Sequence, residues 1–223
     1  MRIWEAHIAL SRQIGDPISV TGSPPATIPD GVRYSRALRD IYLYRSALNI
    51  VQQVITQAAQ LPDKAAHEII ARAFPNYIVE DNLGVINNNV TDEFNLTRRP
   101  AWVYSVHTSN NHQFQKSSLP RFNSYANPYV DGRPDPMYVL IPGVAPVGIA
   151  PYANGRIRIK YPNPWRTDSG SSILYCAYLP TPLNPATQAV NDVLDMEPLY
   201  YETLLQAAAQ MALSDSQEVQ MAR

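Results

Sequence analysis

The chain has almost no cysteine. Among 223 residues only Cys176 occurs, which excludes an intrachain disulfide framework and suits a reducing compartment. Cys176 lies inside the apolar run "ILYCAY" and reads as a small core residue rather than a nucleophile. Charge is sparse too, at 17% against a usual ~25%, and glycine is held to 9 residues. No apolar run is long enough to span a bilayer. The start, "MRIWEAHIALSRQIGDP", lacks the basic-then-apolar layout of a signal peptide, because Glu5 and His7 interrupt it. The phosphate-loop, dinucleotide and nucleophile-elbow signatures are missing. His7, His67, His107 and His112 are scattered, and "HTSNNH" spaces two of them five apart with no Cys or acid beside them. Neither a metal nor a cofactor is expected, and the histidines read as solvated loop residues.

What is abundant is proline, with 20 residues, and tyrosine, with 14. Much of the polar surface must then be Asn, Gln, Ser and Thr. Few charges and many tyrosines fit a surface covered by neighbours, because interfaces favour Tyr and disfavour Lys and Glu.

Residues 2–14 are expected to form a short helix with Ile3, His7, Leu10 and Ile14 on one side. The linker "GDPISVTGSPPATIPDG" breaks it. Tyr34, Ala37, Ile41, Tyr44, Leu48, Val51, Ile55 and Ala58 then recur at alternating three- and four-residue steps. This heptad-like seam predicts a helix over about 31–60, ~40 Å long at ~1.5 Å per residue, with Asp30 as its N-cap. Leu43, Ala47, Ile50 and Val54 widen the apolar face, so the helix should pack against more than one partner. "LPDKAAHEIIARAFP" reads as a shorter helix with Ala66, Ile69, Ile70 and Ala73 inward and His67 and Glu68 toward solvent.

The texture changes near Asn76. From there the chain is Pro-punctuated, β-branched and aromatic, with candidate strands "YIVED", "AWVYSVH", "PMYVLIP", "GRIRIKY" and "SILYCAYL". In "AWVYSVH" Trp102, Tyr104 and Val106 are expected on one face and Val103, Ser105 and His107 on the other. In "RIRIKY" Ile157, Ile159 and Tyr161 alternate with Arg156, Arg158 and Lys160. A last helix, with Asp195 as a cap, carries Tyr201, Leu204, Leu205, Ala208, Met211 and Ala212 on its apolar stripe. Glu202, Gln206, Gln210 and Ser214 form its polar stripe. The expected fold class is α+β: a helical bundle from N- and C-terminal helices with an embedded antiparallel β-sandwich or barrel-like region. The division is a helical part over 1–75, a β-rich domain over 76–180, and a Pro-rich linker plus closing helix over 181–223, which should pack on the long helix.

Reaction chemistry is hard to find. "TDSGSS" places Asp168 near Ser169 and Ser171, but a turn between strands accounts for it. "VEDNLGVINNNVTDE" gathers Glu80, Asp81, Asp92 and Glu93. A glycosidase pair or a calcium loop would use such residues, yet the ligand spacing fits neither, and solvated β-connections explain it better. No enzyme is expected.

Charge is unevenly spread behind a net of −1. Residues 94–167 hold 9 Lys/Arg against Asp131 and Asp135, a balance of +7. Residues 168–223 hold 7 acids against Arg223, a balance of −6. The blocks can neutralise each other within one subunit, meet between subunits, or set the basic face against nucleic acid or an acidic protein. No sequence-specific nucleic-acid module is recognisable. Blocks of opposite sign suit head-to-tail contacts that close into rings.

The order of pieces carries a resemblance. "IPDGVRYSRALRDIYLYRSALNIV", then a β-rich insert, then "AYLPTPLNPATQAVNDVLDMEPLYYETLLQAAAQMAL" resembles the head-to-tail adaptor (neck or connector) proteins of tailed bacteriophages. It covers 34–60 and 175–215 by pattern and the middle by class. The long linker before the first segment and the large Tyr/Pro-rich β-region depart from the usual picture, leaving the adaptor type open. The resemblance implies a homo-oligomeric ring under the portal protein, commonly twelve-fold, in the virion neck between capsid and tail. Such a ring is made in the host cytoplasm, contacts a tail or nozzle protein, passes double-stranded DNA without reading its sequence, and involves no membrane. Acids facing the channel would repel DNA, and bases would hold phosphates. Asp215 and Glu218, or the loops around Arg98, Arg99, Lys116 and Arg121, are the candidates for the bore, and the choice between them stays open. Arg156, Arg158 and Lys160, with the polar tail Gln217, Glu218, Val219, Gln220, Met221 and Arg223, are the candidates for contact with neighbours or partners. A solvated surface is the competing reading for each.

Two other classes compete. In a carbohydrate- or protein-binding β-sandwich on a virion surface, Trp102, Tyr104 and Trp165 would be exposed stacking platforms instead of core. A hydrolase would need Glu80, Asp81, Asp92 and Glu93 to converge.

Overall fold

The computed structural model describes residues 1–86, 91–124, 137–141, 155–160 and 172–221, with backbone alone for 91, 92, 124 and 218–221. The fold is α+β. The chain divides into two units, Met1–Tyr77 with Pro182–Arg223, and Ile78–Thr181.

The first unit is helical. Helix α1 (Ile3–Gln13) is opened by Glu5, whose carboxylate accepts the Arg2 N–H at 2.7 Å. Helix α2 (Arg36–Ala58) starts later than the expected 31, and its N-cap is Ser35 rather than Asp30. The reason lies in Asp16. Its carboxylate accepts the backbone N–H groups of Val32, Arg33 and Tyr34 at 2.9–3.0 Å, which holds those residues out of the helix. Asp30 instead receives the Arg36 N–H at 2.5 Å. Gly31 is required here, because a Cβ would lie 2.1 Å from an Asp16 carboxylate oxygen.

The buried face of α2 also differs from the expected seam. Arg39, Asp40, Tyr42, Leu43, Ser46, Ala47, Ile50, Val51 and Ala58 are buried. Ala37 and Ile41 of the seam are exposed, and Tyr44, Leu48 and Ile55 are half-buried. Of the residues that seemed only to widen the apolar face, Leu43, Ala47 and Ile50 are its centre and Val54 is half-buried, while Tyr34, Val51 and Ala58 of the seam are buried as expected. Helix α3 (Asp63–Ala73) follows and buries Ala66 and Ile70.

The return segment is extended and Pro-rich, with 3-10 turns at Pro185–Thr187 and Pro198–Tyr200. The last helix begins at Tyr201, so Asp195 is not its cap. Asp195 accepts the Leu183 N–H at 2.6 Å instead. We number the α-helix Leu119–Ser124 of the second unit α4, and the last helix, Tyr201–Met221, α5. Helix α5 packs on α2 through small residues: Ala208 and Ala212 are fully buried, and the Tyr34 hydroxyl donates to the Ala212 carbonyl at 3.1 Å. Tyr42 donates to Asp215 at 3.0 Å, and burial together with that carboxylate pushes the phenol up to about 12.

The second unit contains two sheets. One is antiparallel, ordered β1-β7-β3, from β1 (Val79–Val85), β3 (Pro100–Thr108) and β7 (Ile173–Pro180). The other is ordered β2-β6-β5-β4, from β2 (Thr91–Asn95), β4 (Gln115–Lys116), β5 (Met137–Ile141) and β6 (Arg156–Lys160). Its β4–β5 pair is parallel and the rest antiparallel. Both sheets contribute to one core: Val106, Leu174, Cys176 and Tyr178 from the first, and Tyr138, Ile157 and Ile159 from the second, with Leu96 and Phe114. In β6 the alternation is as expected, Ile157 and Ile159 being fully buried between half-buried Arg156, Arg158 and Lys160. In β3 it is not. A register shift between Val103 and Ser105 changes the parity, so that Val103 packs on the same core as Val106.

Candidate functional site

The residues singled out from sequence are distributed over both units. Arg156 and Arg158 project from β6 toward Glu93 of the neighbouring strand β2, where Glu93 and Arg158 are register partners. Arg156 pairs with one Glu93 oxygen, and Arg158 Nη2 lies 2.9 Å from the other. The hydrogen bond from Arg158 outweighs partial burial and, with the charges of both arginines, holds Glu93 below its ordinary carboxylate value. Lys160 donates to the Phe122 carbonyl at 2.8 Å and sits 4.9 Å from the centre of that ring, where burial lowers its pKa. The three bases therefore share a strand face, and each has an intrachain contact.

The four bases assigned to loops are not one cluster. Arg98 is half-buried: its Nη2 donates to the Thr181 carbonyl at 2.8 Å, and its backbone N–H donates to the Tyr178 hydroxyl at 3.1 Å. The Arg99 carbonyl accepts from Thr181 N–H at 2.8 Å. Lys116 lies on strand β4 and Arg121 on helix α4, not in loops. Arg98 and Arg99 precede β3 and bond to Tyr178 and Thr181 at the β7 end of the three-stranded sheet, whereas Lys116 belongs to β4 of the four-stranded sheet. Among the C-terminal candidates, Gln217 is exposed. The tail expected beyond the core is helical in backbone through Glu218, Val219, Gln220 and Met221, whose side chains lie outside the described set, as does Arg223. Asp215 is exposed but tied to Tyr42.

The acidic stretch read as solvated connections is mostly strand. Glu80 and Asp81 belong to β1, and Asp92 and Glu93 to β2, in different sheets. Asp81 is buried and accepts from Thr97 N–H at 2.8 Å, from the Thr97 hydroxyl at 2.7 Å and from the Tyr178 hydroxyl at 2.8 Å. Cys176 is fully buried, and burial, with the Asp81 and Glu80 charges, pushes its thiol up to about 12. Trp102 and Tyr104 are half-buried, neither platforms nor core. Trp165, Tyr161, Asp168, Ser169 and Ser171 lie outside the described residues.

Sequence reasoning missed a buried network in the helical unit. His7 is not a solvated histidine: it faces inward from α1 on the side expected with Ile3 and Leu10, fully buried, with Nε2 2.8 Å from Asp40 Oδ1. Arg39 Nε–H donates to His7 Nδ1 at 3.3 Å, which leaves the imidazole proton on Nε2 to be donated to Asp40. The same guanidinium donates to the carbonyls of Tyr34 at 2.8 Å and Pro29 at 2.5 Å. Burial lowers the Arg39 pKa, with Asp16, Asp30 and Asp40 acting the other way. Burial would raise Asp16, but the N–H groups of Tyr34, Arg33 and Val32 and the Arg39 charge prevail and hold it below 3.8. The network joins α1, α2 and the linker between them. Nothing in it opens toward a substrate, since His7, Asp16, Arg39 and Asp40 are all buried.

Among the described residues, no three His, Cys, Asp or Glu side chains group to hold a metal. No described helix is long and apolar enough to cross a membrane. A depression of about 350 Å³ on α2 is lined by Asn49, Gln52, Gln53, Thr56 and Gln57, none of which titrates. No protein-family model matches the chain, and comparison with curated proteins found no match.

Proposed function

We propose that the protein is a structural component of a tailed-phage virion, a head-to-tail adaptor that assembles as a ring between portal and tail and surrounds the DNA channel. It acts by geometry and binding, without catalysis. The observation that carries this reading is the chain order: a helical unit assembled from both ends of the sequence, with a β unit embedded between Tyr77 and Pro182. The family resemblance, from the long helix at 34–60 to the closing helix entered through "MEPLYYE", has that same order. Two features add support. Much of the exposed surface of α2 and α5 is uncharged amide and apolar, as suits a surface that neighbours cover. The +7 block in residues 94–167 and the −6 block in 168–223 provide complementary charge for contacts between copies.

The test is a mass measurement of the purified full chain, alone and mixed with a portal protein from the same phage. The expected result is monomer or weak oligomer alone and a discrete ring, twelve-fold if the usual symmetry holds, in the mixture. Monomer in both samples would overturn the proposal.

A further inference from the structure

The heptad-like seam on α2 is real as a sequence pattern, yet this chain's own elements leave much of it uncovered. Within the seam Ile41 is 40% exposed, Ala37 is exposed, Tyr44, Leu48 and Ile55 are half-buried and Val51 is buried, while Leu38, beside the seam, is also 40% exposed. A 3-4 spacing maintained over residues 37–55, ~27 Å of helix at ~1.5 Å per residue, is the pattern that packs against another helix. The buried arc of α2, centred on Leu43, Ala47 and Ile50, already serves the intrachain partners. The seam lies beside that arc, and its exposed edge continues into Arg45 and Gln52.

Charge selects the occupant. A two-fold contact between seams would bring Arg45 beside its own copy, since Arg45 lies next to the midpoint of the 37–55 stripe. The outward face of α5 has the opposite sign: Glu202 is exposed there, with Gln206, Gln210 and Leu213 (42% exposed), and it carries no Lys or Arg in its described part. Just before it, Leu199 is 60% exposed. An antiparallel register that sets Arg45 beside Glu202 also sets Leu48 beside Leu199 and Ile41 beside Gln206.

We infer that α2 of one copy packs antiparallel on the outward face of α5 of the next, through Leu38, Ile41, Arg45 and Leu48 against Leu199, Glu202 and Gln206. This rests on the ring reading and deepens it. The contact joins two different faces, so it is head-to-tail and propagates until a ring closes. A stripe one helix wide is smaller than the ~800 Å² per partner of a standard stable interface, so single contacts are weak and the ring needs its portal template. The Arg45–Glu202 pair sets direction and register more than affinity.

Disulfide trapping tests this on the full-length protein, alone at high concentration and with portal present. Ile41→Cys and Gln206→Cys replace exposed side chains, and the native Cys176 is fully buried and stays out of the reaction. The expected result under mild oxidation is a ladder of covalent oligomers from I41C/Q206C that neither single variant gives. Arg45→Glu should reduce the ladder several-fold, and R45E combined with Glu202→Arg should restore it. Dimer formed as readily by I41C alone would overturn the inference in favour of a two-fold contact between α2 helices. Rings with portal but no ladder would overturn the interface and leave the ring reading standing. A ladder without rings would support the interface and overturn the ring.

Discussion

In the helical unit His7, Asp16, Arg39, Asp40 and Glu197 are all buried, whereas in the β unit Asp81 is the one charged side chain buried among the described residues. The β unit's Glu93, Arg156 and Arg158 meet at the surface. Backbone accounting explains the buried charge of the helical unit. Sheets pair their own N–H and C=O groups in ladders, and helices do the same internally, but irregular connections have no such provision. The helical unit contains two long ones, residues 14–35 and 182–200, and charged side chains serve them. Asp16 takes three N–H groups of the first, and Arg39 donates to two of its carbonyls. Glu197 in the second receives the Asn76 N–H at 3.0 Å, and Asp195 receives that of Leu183. Buried charge here is the means by which proline-rich linkers acquire one conformation.

The helical unit should be most sensitive at Arg39. Arg39→Ala leaves two carbonyls and His7 Nδ1 without their donor and removes the positive charge near Asp16, Asp30 and Asp40, and should cost about 3–5 kcal/mol in urea unfolding followed by helical circular dichroism. A loss under about 1 kcal/mol would show that the network is not what orders the linker. Asp81→Ala, in the β unit, removes the acceptor of neutral donors on Thr97, in the connection between β2 and β3, and on Tyr178, and should cost about 1–3 kcal/mol by the same measurement. A loss as large as that for Arg39→Ala would erase the contrast.

Acid sharpens it further. Because Asp16 has a folded pKa below its ordinary 3.8, its contribution is fully present above that value and is lost as pH falls through the lower folded value. Asp16→Asn should flatten this acid limb in a stability profile taken from neutral pH to below 3.8. An unchanged limb would assign it to other carboxylates. The smallest effect is expected at the surface, where Glu93→Gln should cost at most about 1 kcal/mol and less at high salt.

Legibility from sequence followed the same division. Strand β6 was readable because Ile157 and Ile159 alternate with Arg156, Arg158 and Lys160. Strand β2, "TDEFN", was not, because its composition is acidic and only Phe94 faces the core as a large apolar side chain. It is an edge strand, where charge is tolerated and β-propensity says little. In β3 the alternation was visible but a bulge, which leaves no mark in composition, reversed half of it. Long helix α2 was legible in existence and not in face, since both of its stripes are apolar and only tertiary packing chooses between them. The His7–Asp40 pair is separated by 33 residues and the Glu197–Asn76 pair by 121, so spacing could not announce either. Gly31 next to Asp30 read as an ordinary turn signal, although its lack of a side chain is what admits the Asp16 carboxylate.

The embedded β unit begins on β1 and ends on β7, and these two strands are antiparallel neighbours with Val79 opposite Tyr178. Its entrance and exit are therefore side by side. The insert is thus held by two strands that run about one strand spacing apart, ~5 Å, where it enters and leaves the β unit. A change in the length of the insert therefore need not alter the spacing at which the chain leaves and re-enters the helical unit.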